Sequence, residues 1–219
     1  MKLKHQFVFF FVLILFSAIY CQEKELVIDS LYIADQMLVL DFHLENFFDS
    51  KMIDGLKHGL TSEMIFSVQL WKKRFLFSSL KSENMFSVIL YYDNWQKKYA
   101  VIKDEERLLS SDLDRIEVKS TRFARQQVLP LQDLDQNASY FVGIQTTFQP
   151  ISDQTFQELS QWLSKNEKEN HNAQPVKRGR VFPLFLDLIG LGDKEFSIKS
   201  EDFAISQKGI FYKDQRNDQ

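Results

Sequence analysis

Hydrophobic and polar positions alternate with a period of two over much of this chain and shift to helical spacing at a few points. Leu26, Ile28 and Tyr32 alternate, Ala34 and Asp35 offer a turn, and Leu38, Leu40, Phe42 and Leu44 form an apolar row opposite Asp41, His43 and Glu45. This predicts a β-hairpin with His43 facing solvent. Asp49 or Ser50 then caps a helix in which Met52, Ile53, Leu56 and Leu60 recur at helical spacing. Gly59 suits the left-handed position just past the helix end, and Gly55 would let the backbone approach a sheet. From Met64 the period returns to two, with Met64, Phe66, Val68 and Leu70 on one face and Glu63, Ser67 and Gln69 on the other. Phe86, Val88, Leu90 and Tyr92 repeat the pattern, Asp93 and Asn94 mark a tight connection, and Tyr99 and Val101 lie in the returning strand. The result is an antiparallel meander with one apolar face.

Residues 103–112 are charged and read as a loop or short exposed helix. A short helix around Leu113 and Ile116 and a strand ending near Pro130 follow. Tyr140, Val142, Ile144, Thr146 and Phe148 make a long strand stopped by Pro150. Ser152 or Asp153 caps a further helix, with Phe156, Leu159 and Leu163 on one face. The chain divides into a leader at 1–21, a β-rich domain at 22–164, a polar linker at 165–180, an apolar carboxyl-terminal segment at 181–206 and a frayed tail at 207–219. Within the apolar segment, Phe196, Ile198, Phe203 and Ile205 are strand-like, and the segment packs on the domain or on a partner. The fold class is mainly β with a few helices (α+β): an antiparallel sheet or two-layer β-sandwich with packed short helices.

Lys2 and Lys4 precede the apolar run at 7–20, after which Gln22, Glu23 and Lys24 are polar. This is the pattern of a secretory signal peptide, and the run is shorter than the roughly 17–25 residues of a membrane span. The expectation is an exported protein with no permanent span after processing. Cys21 is the only cysteine, so no internal disulfide forms and packing alone must hold the fold. Cys21 leaves with the leader, or becomes the lipid-modified first residue of a lipoprotein, or stays behind an uncleaved anchor. The formal net charge is −3 and becomes more negative without Lys2 and Lys4, which argues against nucleic-acid binding. Phenylalanine is abundant at 21 residues while glycine contributes only 7, so glycine-rich phosphate loops are not expected and no cofactor is implied.

The 4 histidines show no ligand spacing, which argues against a zinc site. Asp41 and Glu45 share the polar face of one strand, but no placed nucleophile or oxyanion donor accompanies them, so no catalytic residue is assigned. The basic cluster Lys72, Lys73 and Arg74, bracketed by Trp71 and Phe75, admits two readings. It is a charged strand end that discourages edge pairing, or a dock for an acidic partner or lipid headgroups. Phe182, Leu184, Phe185 and Leu188, in the apolar segment, are further candidates for partner binding.

The stretches MIDGLKHGLTSEMIFSVQLWKKR (52–74), FSVILYYDNWQKKYAVI (86–102) and ASYFVGIQTTFQPIS (138–152) resemble, in that order, the bacterial family described as domain of unknown function 4390. The resemblance implies an exported envelope protein and brings no catalytic residues with it. It leaves the region beyond Leu163 uncovered. The first expectation is a non-catalytic exported envelope protein, periplasmic or outer-envelope associated, acting as an interaction module with an envelope protein partner. The second is a carrier of a lipid or other hydrophobic ligand, which needs a cavity among the phenylalanines. An enzyme would be favoured by a buried cluster of His, Asp and Glu.

Overall fold

The computed structural model describes residues 24–136, 138–150, 194–206 and 209–212. The first hairpin is β1 (Glu25–Ala34) and β2 (Met37–Glu45), turning through Asp35 and Gln36 with φ of 51° and 61°. Two successive positive φ values match the right-handed twist of the paired strands. A bulge places Asp29 outside the ladder between Ile28 and Ser30. Helix α1 (Ser50–Lys57) follows, and the Asp49 carboxylate accepts from the Met52 amide at 2.8 Å. It closes on Gly59 at φ 93°, with Gly59 N–H bonded to Leu56 O and Leu60 N–H to Gly55 O. These two bonds satisfy the last carbonyls and fold Leu60 back on the helix. Gly55 makes room for that fold-back rather than for a sheet, since a Cβ there would lie 3.1 Å from Leu60 Cδ1.

Strand β3 (Ser62–Lys73) pairs with the long β4 (Ser78–Asp93), which turns into β5 (Lys98–Lys103). Residues 103–112 are neither loop nor helix for the most part. Asp104 and Glu105, at φ 52° and 66°, make a two-residue turn into β6 (Glu106–Ser110). Helix α2 (Leu113–Thr121) then leads directly into β7 (Arg122–Pro130). A single 3₁₀ turn, Leu131–Asp133, precedes β8 (Ser139–Gln149). Beyond 193 come β9 (Lys194–Lys199), β10 (Phe203–Ser206) and β11 (Gly209–Tyr212). Residues 209–212, assigned above to a frayed tail, are therefore a strand paired with β10.

Among the described residues all pairings are antiparallel and build two sheets, β1-β2-β7 and β11-β10-β8-β3-β4-β5-β6, with β9 also on β8. The smaller sheet lies across the larger. Phe42 and Phe123 from the small sheet meet Phe66 and Phe86 from the large one, with ring centroids 4.5–5.9 Å apart. Met64, Phe66, Val68 and Leu70 are buried against this layer, as are Tyr140, Val142, Ile144 and Phe148 of β8. The antiparallel, mainly β α+β architecture expected from the alternation is present. Residues 194–206 pack on the domain: β9 and β10 lie end to end along β8, and Ser200 bridges them by bonding Val142 through both its amide and its hydroxyl. The expected leader with Cys21, the helix after Ser152, the linker at 165–180 and Phe182, Leu184, Phe185 and Leu188 lie outside the described residues.

Candidate functional site

The connection between β3 and β4 is spelled Arg74-Phe75-Leu76-Phe77, an apolar run where turn chemistry ordinarily selects polar residues. The Arg74 amide donates to Phe77 O at 3.2 Å, which closes the hairpin. Phe75, Leu76 and Phe77 point away from the core and are 100%, 82% and 63% exposed. Runs of exposed apolar residues of this kind oppose folding economy unless something covers them.

The basic cluster lies at the base of this tip, and its three members differ. Lys72 Nζ donates to Asp135 Oδ2 at 2.5 Å, and Lys73 donates to Asp202, which is buried at the start of the β10 segment. Burial opposes ionisation of Asp202, but hydrogen bonding from Lys73 and the charge of Lys199 outweigh it and hold the carboxyl below its ordinary range. The hydrogen bond and charge of Lys72 do the same for Asp135. Two of the three cations thus fasten β3 to its neighbours. Arg74 makes no ion pair among the described residues, although its charge helps to hold the Asp135 carboxyl low, and its guanidinium sits 5.9 Å from the Phe77 ring centroid. On the outer face below the tip, Trp71 stands opposite Leu80 and parallel to Phe141 at 6.2 Å, with Lys199 Nζ 4.0 Å from the Phe141 centroid. Trp71 is oriented by its indole N–H donating to Gln69, which in turn donates to Ser67 and Glu83.

Residue type and spacing single out the cations and both flanking rings, Trp71 and Phe75, but not Leu76 and Phe77. The signal for them was three apolar residues between two period-two runs, at the place where a polar turn was due.

A second constellation surrounds His43, which is buried rather than solvent-facing. Its Nδ1 is 2.8 Å from Asp29 and its Nε2 is 3.1 Å from Glu45. The β1 bulge turns Asp29 toward the ring, a placement that strict alternation does not anticipate. Burial lowers the imidazole pKa, but hydrogen bonds to Asp29 and Glu45 outweigh it, so the ring titrates above its ordinary value. This is a cluster of His, Asp and Glu, as an enzyme would need. Its geometry is that of a clamp, because carboxylates occupy both ring nitrogens and leave neither to take a proton from a nucleophile. Asp41 is likewise engaged. It accepts from Ser30, Tyr32 and the Arg125 amide, holding the irregular start of β7 against β2. Among the described residues no group of His, Cys, Asp or Glu is arranged to hold a metal ion.

The phenylalanines that a carrier would place around a cavity touch one another instead. Phe42, Phe66, Phe86 and Phe123 form one cluster, and Phe47 meets Phe148 edge-on at 4.9 Å.

The family model described as Domain of unknown function (DUF4390) matches residues 25–152, more than half of the chain. No curated protein and no solved structure matches the chain.

Proposed function

This chain belongs to the family described as Domain of unknown function (DUF4390), and from that premise we propose that it is a non-catalytic exported envelope protein acting as an interaction module. The observation that carries the reading is the β3–β4 tip, with Phe75, Leu76 and Phe77 exposed on a stem held by Lys72 and Lys73. A rigid stem presenting apolar side chains serves docking, because little ordering is required when the partner arrives. Contacts among the phenylalanines favour the module over a carrier, and the doubly engaged imidazole of His43 favours it over an acid–base enzyme. Export rests on the leader pattern at 7–20.

The test is a photoactivatable phenylalanine analogue at position 75, expressed in intact cells and irradiated. The expected outcome is a discrete adduct with a component of the envelope. Adducts confined to cytoplasmic proteins, or none at all, would overturn the proposal.

A further inference from the structure

Resting on the module reading, we infer that the β3–β4 tip docks on an anionic phospholipid bilayer. The tip is convex: Phe75, Leu76 and Phe77 project from the end of two paired strands and are exposed at 100%, 82% and 63%. A stable protein interface covers about 800 Å² on each partner. Three side chains of at most roughly 150–250 Å² each fall short of that area. A bilayer needs no matching pit, since the acyl boundary admits apolar side chains one by one while headgroups meet the polar ones beside them. Phenylalanines on a polar stem suit that depth, and Trp71 on the outer face lies just behind them with its N–H satisfied by Gln69.

The charges around the tip select the kind of bilayer. Lys72, Lys73 and Lys81 lie on the two strands, Arg74 opens the connection between them and Lys199 lies beside them, against the carboxylates of Asp135, Asp202 and Glu83. The cations outnumber the carboxylates here in a chain whose formal net charge is −3. Long basic side chains lay their stems along apolar surface and lift their charges to the headgroups. Arg74 is placed to do so, with its guanidinium beside the Phe77 ring and no ion pair among the described residues. Each cation at an anionic membrane surface strengthens binding by about fivefold. The ion pairs of Lys72 and Lys73 fix the direction in which the tip points.

The experiment is flotation of the full chain with vesicles of phosphatidylcholine and phosphatidylglycerol at 7:3, and with phosphatidylcholine alone. Every variant keeps the same amino terminus, so the run at 7–20 contributes equally throughout. Phe75→Ser combined with Phe77→Ser is expected to weaken binding to the anionic vesicles by about tenfold or more. Arg74→Glu is expected to weaken it on anionic vesicles and leave neutral ones unaffected. Trp95→Ser is the control, since Trp95 is 97% exposed at the opposite end of β4 and should change nothing. Unchanged thermal unfolding of the tip variants confirms their folds. Tip variants that bind anionic vesicles as the parent does overturn the inference. The position-75 crosslink separates the two proposals. A phospholipid adduct supports both, whereas an adduct with an acidic envelope protein or a second copy of the chain overturns the bilayer and leaves the module standing. The absence of any envelope adduct, together with unaltered vesicle binding, overturns both.

Discussion

At the scale of single residues, the clearest consequence concerns the His43 clamp. A folded-state pKa raised above the ordinary value of 6.5 means that the native state holds the imidazolium proton more tightly than the unfolded chain does. The clamp's stabilisation is therefore fully present below about pH 6.5 and is lost as pH rises through the folded pKa. His43→Gln should lower the urea midpoint at about pH 5.5, and the deficit should shrink by about pH 8.5. The effect should be on the order of 1 kcal/mol at the lower pH, because Asp29 and Glu45 are both well exposed to solvent and screened. A deficit of equal size at both values would mean that the ring contributes shape and not charge. The clamp was illegible in the sequence for a specific reason. Alternation predicts a solvent-facing His43, and nothing in the periodicity reveals that the Asp29 bulge brings a carboxylate over the ring and that the ring is buried.

Elements show where pattern reading succeeds and where it fails. Met64, Phe66, Val68 and Leu70 were readable as a core row because side chains on a strand alternate strictly, and a register slip would reverse all four. The same holds for β8, where Pro150 also marks the end. Strand β6 is hidden in the pattern because its turn, Asp104-Glu105, contains neither glycine nor asparagine although both residues adopt positive φ. Side chains other than glycine are strained in that region by about 1–2 kcal/mol. Glu105→Gly should therefore stabilise the protein by about 0.5–1 kcal/mol, after the extra freedom of glycine in the unfolded chain is offset. Chemical denaturation would register this as a higher midpoint at constant slope, and a lower midpoint would show that the Glu105 side chain has a stabilising contact. The β3–β4 tip is the converse case. Its residues obey no turn rule, and the strands on either side pair without needing them, so the violation is better explained by docking than by folding.

For the molecule as a whole, the family match and the fold have different ends. Residues 25–152 contain both layers of the core, yet they leave one long edge of β8 without a partner. That edge is covered by β9 and β10, which lie beyond the match, and Phe203 is fully buried beside Tyr140 at a centroid distance of 6.1 Å. Asp202, also buried, receives Lys73 from the stem of the tip. The carboxyl-terminal strands thus close the sheet, fill part of its core and brace the docking element together. Ending the chain after residue 193 removes β9, β10 and β11 and retains everything before them. It should expose the β8 backbone as a template for pairing with another copy and uncover apolar surface around Tyr140. Phe203→Ala alone should cost about 3–5 kcal/mol, the range for truncating a buried phenylalanine. The shortened chain is expected to form oligomers by light scattering and to unfold at a lower temperature than the full chain. Adding a peptide of residues 194–212 should restore a monomeric complex. A shortened chain that stays monomeric with an unchanged transition would show that the family-matched region folds as a self-sufficient domain, and that the terminal strands serve only to brace the tip.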